Sequence, residues 1–370
     1  MKIIISGGGT GGHIFPAVAI ANAAKRRWPG ASILFVGAEG RMEMEKVPAA
    51  GYEIKGLPIA GLQRKISLAN IAKNAMLPYK VLRSRMMVRR IIKDFNPDIV
   101  VGVGGFASEP TLKTAASMGY STLIQEQNSY AGLTNRTLAR NAARICVAYD
   151  NMERFFPKER IVFTGNPVRK EIEELAVSHD DGCAQFGLDP SKPVVLSVGG
   201  SLGARSINEM IMRNLDYFKT HDIQLLWQTG KWMYADAVRA VDGAKAGQWV
   251  KVHEFVGRMD CAYAAADAVV SRAGAIAISE LCLVGKPVVL IPSPNVAEDH
   301  QTKNALALVV KGAAEMVTDK DCSVKGIAAL DKILNDEKSS RSMSANIKAL
   351  GVRHSADLIV DEIEKLTAND

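Results

Sequence analysis

The chain has 370 residues, of which 48% are hydrophobic and 23% charged, a composition typical of globular proteins that excludes a disordered chain. At roughly 100–200 residues per domain, this length predicts two or three domains. The net charge of +7 is unevenly spread: residues 1–165 hold 23 basic and 11 acidic side chains, a net +12, whereas residues 166–370 hold 23 and 28, a net −5. We therefore expect an anionic partner at the N-terminal half.

The five cysteines are scattered, without a C-x-x-C pair, which argues against a disulfide framework or a zinc knuckle and favours a reducing compartment. The apolar run after Lys2 is only three residues long, too short for the apolar region of a signal peptide. No run approaches the ~20 apolar residues of a membrane-spanning helix. The sequence predicts a cytosolic protein whose membrane contact is peripheral.

Short β-branched runs alternate with helical patterns along the chain, which predicts an α/β protein with doubly wound parallel sheets. In the first half, strands are predicted at residues 2–6, 32–36, 53–57, 98–102, 121–125, 144–148 and 160–164. In the second half, they are predicted at residues 193–198, 223–228, 249–253, 268–271, 287–291 and 314–317. Helices are predicted at residues 14–27, 207–219 and 354–366.

The start of the chain is repeated within it. Residues 2–13 and 192–203 each read as a strand, a glycine-rich turn and the beginning of a helix. This repeat predicts two Rossmann-like domains, residues 1–165 and 166–340. Residues 341–370 are predicted to form C-terminal helices, the last of which packs back on the first domain.

Four glycine-rich turns follow apolar strands, at residues 7–12, 102–105, 199–203 and at Gly274. Residues 7–12 match the G-x-G-x-x-G fingerprint of dinucleotide-binding loops, and Glu39 follows the second strand, where a dehydrogenase keeps its ribose-binding carboxylate. One such loop would suffice for an NAD-dependent oxidoreductase. Because open α/β sheets bind ligands at the carboxyl ends of their strands, four turns favour one large, doubly phosphorylated ligand held from two domains across a cleft.

The motifs as a set resemble the MurG family, the transferases that convert lipid I to lipid II in peptidoglycan synthesis. The matching segments are Gly8-Gly9-Thr10-Gly11-Gly12-His13, Gly102-Val103-Gly104-Gly105-Phe106, Glu126-Gln127-Asn128, Gly165-Asn166-Pro167-Val168-Arg169, Gly199-Gly200-Ser201-Leu202-Gly203-Ala204, Ser271-Arg272-Ala273-Gly274-Ala275 with Ser279-Glu280, and Gln301 with Asn304-Ala305. The chain departs from the family at Gln125, where the family usually has His, and at His300, where it has the first of two glutamines.

The resemblance implies a GT-B glycosyltransferase, with two Rossmann-like domains facing across a cleft and the donor UDP-GlcNAc mainly on the second. It implies that the Val256 backbone reads the uracil, Glu280 accepts from the ribose hydroxyls, and Gln301 holds the sugar. The remaining donor contacts that it implies are Ser201, Ala275, Ile276 and Ala277 at the diphosphate, with Thr10, Gly11, Gly12, Asn128 and Arg169.

Inverting glycosyl transfer needs a base that takes the proton of the acceptor hydroxyl. A histidine titrates near physiological pH, and the positive end of the helix that begins near His13 would keep its imidazole neutral, as a base requires. Glu126 is the alternative base. The acceptor diphosphate is expected at Gly104 and Gly105.

No metal site and no cofactor are predicted. The metal-binding pattern Asp-x-Asp occurs once, at Asp319-Lys320-Asp321, in a polar turn before a helix where aspartate is a routine cap. Glycine-loop amides and helix ends can stabilise a leaving UDP without a metal ion.

A basic and apolar stretch, residues 62–93, is the candidate membrane surface. No acidic residue occurs between Glu53 and Asp94, whereas ten basic residues do, among apolar ones. Apolar anchors among basic side chains are typical of surfaces that bind an anionic leaflet. Nucleic acid is the rival partner, but no helix-turn-helix, zinc finger or RNA-binding signature accompanies the charge.

The resemblance to the MurG family implies an inverting transferase that moves GlcNAc from UDP-GlcNAc to the 4-hydroxyl of MurNAc in lipid I. It would work at the cytoplasmic face of the cell membrane, beside other cell-wall synthesis proteins. The alternatives are a UDP-GlcNAc epimerase, a glycolipid glycosyltransferase, an NAD-dependent oxidoreductase or a non-catalytic membrane-binding module.

Overall fold

The computed structural model describes residues 1–59, 61 and 75–368. The chain divides into two compact units, Met1–Val168 together with His354–Asp370, and Arg169–Arg353. The predicted boundary at residue 165 lies close to this division, and the predicted boundary at 340 lies before the point where the chain leaves the second unit. Both boundaries, and the substrate assigned to each domain, stay predictions.

In its described residues, the first unit holds a parallel sheet of seven strands in the order β3-β2-β1-β4-β5-β6-β7. The strands are β1 (Lys2–Ser6), β2 (Ser32–Ala38), β3 (Glu53–Leu57), β4 (Ile99–Gly102), β5 (Thr122–Glu126), β6 (Arg144–Val147) and β7 (Ile161–Phe163). The helices are α1 (Gly11–Arg27), α2 (Glu43–Ala49), α3 (Leu77–Phe95), α4 (Ser108–Ser117) and α5 (Leu133–Leu138), with short 3-10 turns at Met152–Arg154 and Lys158–Arg160.

The central strands of this sheet are apolar because both of their faces are covered. Ile3, Ile4 and Ile5 of β1 are fully buried, and Ile3 and Ile5 belong to a different apolar cluster from Ile4. Such continuous β-branched runs are typical of parallel strands with helices on both sides. All seven predicted strands of the first half are confirmed, with ends that shift by at most two residues.

In its described residues, the second unit holds a parallel sheet of six strands in the order β10-β9-β8-β11-β12-β13. The strands are β8 (Val194–Val198), β9 (Gln224–Gln228), β10 (Val250–His253), β11 (Ala268–Ser271), β12 (Val288–Leu290) and β13 (Glu315–Met316). The helices are α6 (Lys170–Glu173), α7 (His179–Phe186), α8 (Arg205–Arg213), α9 (Leu215–Thr220), α10 (Tyr234–Gly243), α11 (Met259–Ala265), α12 (Ala275–Val284), α13 (His300–Val309), α14 (Cys322–Asn335) and α15 (Glu337–Lys348), with 3-10 turns at Lys231–Met233 and Ala297–Asp299. The six predicted strands are confirmed.

One predicted helix is wrong in detail. Residues 207–219 do not form a single helix, because α8 ends at Arg213 and α9 begins at Leu215. Between them Asn214 has φ −125° and ψ 27°, outside the helical region, and its side-chain amide donates to the Met210 carbonyl at 2.7 Å. Asparagine competes in this way with helical backbone bonding, which explains the break.

The last helix, α16 (Ser355–Thr367), belongs to the first unit. Its buried Ile359, Val360 and Ile363 share an apolar cluster with α1. Around this contact, Arg26 pairs with Asp357 at 2.9 Å, and Arg27 with Asp361 at 2.6 Å and Glu364 at 2.5 Å. By contrast Met343 of α15 lies in the core of the second unit, so residues 341–353 pack there.

Within the residues that the structure describes, no helix is both long enough and apolar enough to cross a bilayer.

Candidate functional site

The first glycine loop lies at the carboxyl end of β1, the edge at which open α/β sheets bind ligands. Thr10 is the N-cap residue of α1 but makes no capping bond with its side chain, and Gly11 and Gly12 form the first turn of the helix. A Cβ atom on Gly12 would meet only the Thr10 hydroxyl, at 3.6 Å. The segment predicted to contact the donor therefore exposes backbone at a helix N-terminus, where the local dipole favours negative charge.

His13 lies on this first turn, and its Nδ1 contacts the glycine loop. Its Nδ1 is 3.0 Å from the Gly8 carbonyl oxygen and 3.3 Å from the Thr10 hydroxyl. Because a carbonyl only accepts, Nδ1 carries the proton in the neutral ring, and Nε2 carries the lone pair of a base. A Cβ atom on Gly104 would lie 2.9 Å from Nε2, so the predicted base and the predicted acceptor turn are neighbours.

The second glycine turn packs directly against the first. A Cβ atom on Gly105 would lie 2.4 Å from the Gly8 carbonyl oxygen, which leaves room only for glycine. The Ser108 hydroxyl, at the start of α4, donates to the Ser6 carbonyl at 2.7 Å, and its oxygen lies 3.0 Å from the Gly104 carbonyl oxygen. The close packing of the two turns is enough to explain why residue 105 is glycine, whether or not a ligand binds there. The role of Gly105 at an acceptor diphosphate therefore stays a prediction.

A carboxylate outside all the predicted site residues binds the first glycine loop. Glu43, on α2, is 1% exposed; its Oε2 accepts from the Gly9 amide at 2.8 Å and its Oε1 from the Ala38 amide at 3.1 Å. A dinucleotide loop directs such a glycine amide to a diphosphate, but here a carboxylate holds it. This arrangement argues against the dinucleotide interpretation of the loop. Glu43 follows no motif that would have revealed it.

Glu126, the alternative base, is held by four donors. Its Oε1 accepts from the backbone and side-chain amides of Asn128, at 3.0 and 3.2 Å. Its Oε2 accepts from the Gly132 amide at 3.0 Å and the Asn135 side chain at 2.9 Å. The side chain is 1% exposed. These four bonds match the roughly four acceptor sites of a carboxylate, an arrangement that favours a role in shaping the loop over proton transfer.

Gln125, where the chain departs from the family pattern, joins the end of β5 to the segment before the second unit. Its side-chain amide donates to Asn166 Oδ1 at 2.9 Å, and Asn166 donates in turn to the Gln127 carbonyl at 3.0 Å. The Gln127 side chain donates to the Val103 carbonyl at 2.8 Å. All three amides are buried, and their bonds hold two of the matching motifs together.

In the second unit, Ser201 lies exposed in the turn after β8. It does not cap α8, since the N-cap residue there is Ala204. The role of Ser201 at the donor diphosphate stays a prediction.

Gln228, a second residue that the sequence analysis missed, bridges this turn and the predicted uracil segment. Its side-chain amide donates to the Gly200 carbonyl at 3.0 Å, and its Oε1 accepts from the Val256 amide at 2.8 Å. The Val256 N–H is therefore hydrogen-bonded within the protein. The backbone group of Val256 that could contact a uracil ring is its carbonyl. A polar residue that ends the buried strand β9 is the signal that could have identified Gln228.

Glu280 and Arg169, both predicted to contact the donor, bind each other. Arg169 Nε lies 2.9 Å from Glu280 Oε1 and Arg169 Nη2 lies 3.0 Å from Oε2, a bidentate pair. The Tyr263 hydroxyl donates to Glu280 Oε2 at 3.2 Å. Burial, and after it the nearby Glu280 carboxylate, raises the pKa of Tyr263 well above its usual value, so Tyr263 is a neutral donor. Glu280 itself is 5% exposed.

The remaining predicted donor contacts lie at helix starts. Gly274 is the N-cap residue of α12, and Ala275, Ile276 and Ala277 form its first turn, with amides suited to an anion. Gln301, in the first turn of α13, accepts with Oε1 from the Ser293 amide at 2.8 Å.

Both aspartates of the Asp-x-Asp pattern form ion pairs with basic side chains. Asp319 pairs with Arg272 at 2.6 Å. Asp321 precedes α14 but makes no capping bond with its side chain, and pairs with Lys325 at 3.3 Å instead. Among the described residues no group of three or more His, Cys, Asp or Glu side chains could hold a metal ion.

Two parallel sheets of matching strand order, each beginning with a strand and a glycine-rich turn, are the architecture of GT-B glycosyltransferases. Family models agree with this class. Residues 3–147 match the glycosyltransferase family 28 N-terminal domain, and residues 194–359 match the family 28 C-terminal domain.

Curated relatives and solved structures narrow the class. The chain is 57% identical over 365 residues to the UDP-N-acetylglucosamine–N-acetylmuramyl-(pentapeptide) pyrophosphoryl-undecaprenol N-acetylglucosamine transferase of Parabacteroides distasonis, covering 99% of this chain and 98% of the relative. It is 56% identical to the transferase of the same name from Phocaeicola vulgatus, covering 99% and 96%. The crystal structure of Acinetobacter baumannii MurG matches with a TM-score of 0.80 and 27% identity, covering 98% and 99% of the two chains. The chain belongs to glycosyltransferase family 28 and, within it, to the MurG family.

A more distant structure shares the fold alone. The UDP-GlcNAc 2-epimerase of Neisseria meningitidis, solved with UDP-GlcNAc, matches with a TM-score of 0.67 at 15% identity, covering 99% of this chain and all of the epimerase chain.

Proposed function

We propose that the chain transfers N-acetylglucosamine from UDP-GlcNAc to the 4-hydroxyl of MurNAc in lipid I, with inversion, and so forms the β-1,4 link of lipid II. The observation that carries this proposal is the 57% identity, along almost the whole of both chains, to a relative named for this transfer. The bonding of the glycine loops supports it, because Glu43 binds the Gly9 amide that an NAD-dependent enzyme would use.

The second unit would hold the donor. The Val256 carbonyl can accept from the uracil N3–H, and Glu280 from the ribose hydroxyls. Three donors already occupy the Glu280 carboxylate, and a carboxylate has about four acceptor sites. If Glu280 accepts hydrogen bonds from both ribose hydroxyls, one of its three present hydrogen-bond partners must therefore be displaced. When the displaced group is an N–H of Arg169, that N–H becomes available to UDP-GlcNAc.

The diphosphate and sugar contacts follow from the helix starts of the second unit. The Ser201 hydroxyl and the amides of Ala275, Ile276 and Ala277 would bind the diphosphate, where helix N-termini stabilise the charge that develops on leaving UDP. This stabilisation supports transfer without a metal ion. The Gln301 side chain would hold the sugar. From the first unit, Thr10, Gly11, Gly12 and Asn128 would complete the donor contacts.

His13 would act as the base. In the transfer, the acceptor 4-oxygen bonds to C1 of GlcNAc, the bond from C1 to the diphosphate oxygen breaks with its electron pair leaving on UDP, and the hydroxyl proton passes to Nε2. The bond from Nδ1 to the Gly8 carbonyl supports this direction, since it leaves the lone pair on Nε2. Gly104, beside Nε2, and Gly105 would lie at the acceptor diphosphate.

Release of UDP tests the activity directly. We expect purified protein to release UDP from UDP-GlcNAc in proportion to added lipid I, with lipid II as the product. Lipid II in place of lipid I is the matched control, because it carries the same lipid and diphosphate but a blocked 4-hydroxyl. Release of UDP at the same rate without lipid I, or conversion of UDP-GlcNAc to an epimer, contradicts the proposal.

The described part of the basic stretch supports peripheral membrane binding by the first unit; residues 62–74 lie outside the described residues. On α3, Tyr79, Leu82 and Met86 are 58–59% exposed, although they are large and apolar. Their spacing of three and four residues places them on one face of the helix. The exposed basic side chains on this helix are Arg83, Arg89, Arg90 and Lys93. We therefore propose that the chain binds an anionic membrane surface, which for a lipid I transferase would be the cytoplasmic face.

Removing this charge should weaken binding to vesicles. We expect the triple variant Arg83→Gln, Arg89→Gln, Arg90→Gln to bind vesicles with anionic lipid about 100-fold less tightly, because each basic residue near such a surface contributes about 1 kcal/mol. Co-sedimentation at low and high salt measures the loss. The control variant Lys25→Gln, Arg140→Gln, Lys158→Gln removes the same charge from exposed positions outside α3. Equal binding by both variants would argue against this surface.

A further inference from the structure

Glu43 is a buried carboxylate to which the proposed mechanism gives no part. It is 1% exposed, and its two oxygens accept from the amides of Gly9, in the first glycine loop, and Ala38, at the end of β2. Burying a carboxylate costs free energy unless hydrogen bonds compensate the charge. The burial of Glu43 beside the first glycine loop therefore suggests that this carboxylate has a function there.

One peptide group connects this carboxylate to His13. The peptide between Gly8 and Gly9 donates its N–H to Glu43 Oε2 at 2.8 Å, and its carbonyl oxygen lies 3.0 Å from His13 Nδ1. The order of groups is therefore carboxylate, peptide N–H, peptide carbonyl, imidazole Nδ1–H. Hydrogen bonds in such a chain polarise one another, so the bond at the N–H strengthens the carbonyl as an acceptor.

The backbone around Glu43 is shaped to admit its side chain. A Cβ atom on Gly8 would lie 2.1 Å from Glu43 Oε1, and one on Gly37 would lie 2.6 Å from Glu43 Cγ. Both positions therefore exclude any larger residue while the carboxylate is in place. The carboxylate thus lies between two glycines, one of which supplies the carbonyl that His13 contacts.

We propose that Glu43 is a positioning residue for His13, acting through the Gly8–Gly9 peptide. It holds the tautomer with the proton on Nδ1 and the lone pair on Nε2, and it favours the imidazolium that forms when Nε2 takes the acceptor proton. Carboxylates do this in direct contact with catalytic histidines; here a peptide group lies between. The inference rests on the proposed role of His13 as the base.

The first test is spectroscopic and uses the unmodified protein. With ¹⁵N-labelled histidine, long-range ¹H–¹⁵N correlation spectra distinguish the two neutral tautomers, and comparison with His13→Gln assigns the His13 signals among the six histidines. We expect the Nδ1–H form in the unmodified protein and an increased Nε2–H fraction in Glu43→Gln. An Nε2–H form in the unmodified protein overturns the inference without any variant at Glu43.

The second test is a double-mutant cycle with lipid I as acceptor. We expect Glu43→Gln to lower kcat about tenfold, with the KM for UDP-GlcNAc changed less than about twofold, since partners of functional histidines commonly contribute that much. In a His13→Gln background the same change should lower kcat less than about twofold, because the group through which it acts is gone. A tenfold loss in both backgrounds would show a merely structural role.

Glu45→Gln is the matched control, since it makes the same chemical change on the same helix at a side chain that is 80% exposed. UDP binding and melting temperature check that each variant is folded. If His13→Gln retains near-normal turnover, the proposed role of His13 fails. If His13→Gln is slow while Glu43→Gln is as fast as Glu45→Gln, only the present inference fails.

Discussion

Replacing His13 with glutamine is expected to lower kcat by about 10²- to 10⁴-fold, the usual contribution of a positioned general base. Glutamine keeps a polar side chain of similar reach but cannot accept a proton at neutral pH. The affinity for UDP should remain within about twofold, because His13 is not among the proposed donor contacts and the proposed uracil and ribose contacts lie on the second unit. Single-turnover transfer to lipid I, with UDP binding measured on the same preparation, gives both quantities.

Glu126→Gln is the informative comparison. The new amide cannot accept at one of its two positions, so some of the four present donors lose their partner. The expected result is a loss of stability of about 1–3 kcal/mol for each buried donor left unpaired. Near-normal turnover in His13→Gln, together with a stable but inactive Glu126→Gln, would move the base to Glu126.

Replacing Glu280 with glutamine is expected to weaken UDP binding by about 10- to 150-fold, the equivalent of the 1.5–3 kcal/mol of a hydrogen bond to a charged group. The variant loses the charge that strengthens bonds from ribose hydroxyls, and it leaves Arg169 without its bidentate partner. Isothermal titration with UDP measures the change. Glu337→Gln, at an exposed position of α15, is the matched control.

A second nucleotide distinguishes two possible roles of Glu280, which are to bind the ribose and to hold Arg169 and Tyr263. Deoxy-UDP lacks the ribose 2-hydroxyl, so the unmodified protein should bind UDP more tightly than deoxy-UDP. If Glu280 reads the ribose, this preference shrinks in Glu280→Gln. If Glu280 serves only to hold Arg169 and Tyr263, both nucleotides weaken by the same factor, and the ribose contact must be assigned elsewhere.

The strands could be predicted from the sequence because their signal is local. Runs such as Ile3-Ile4-Ile5 and Val288-Val289-Leu290 are long enough to mark a strand buried on both faces. Gly7 follows the first run and Pro292 follows the second, and both residue types commonly end a strand. The break at Asn214 could not be predicted in the same way. The apolar pattern continues across it, and the side-chain bond to the Met210 carbonyl decides against a single helix.

The positions of the glycine turns could be predicted from the sequence, but the hydrogen bonds around them could not. The turns lie at the ends of β1, β4 and β8, as predicted, and ligand binding at these edges stays a prediction. Glu43 and Gln228 could not be predicted, because each is hydrogen-bonded to a loop that is distant in sequence. Glu43 accepts from Gly9, 34 residues earlier, and Gln228 donates to Gly200, 28 residues earlier.

The sequence by itself determined two parallel α/β sheets, the turns at their carboxyl edges and the charge of the N-terminal half, because periodicity and composition are carried by neighbouring residues. Only the tertiary structure decided which buried carboxylate binds which partner. It joined Arg169 to Glu280 across 111 residues, and it placed Glu43 and His13 on opposite sides of one peptide group. Hydrogen bonds of this kind depend on distances of about 3 Å between loops, which only the packing of the sheets and helices beneath them can set.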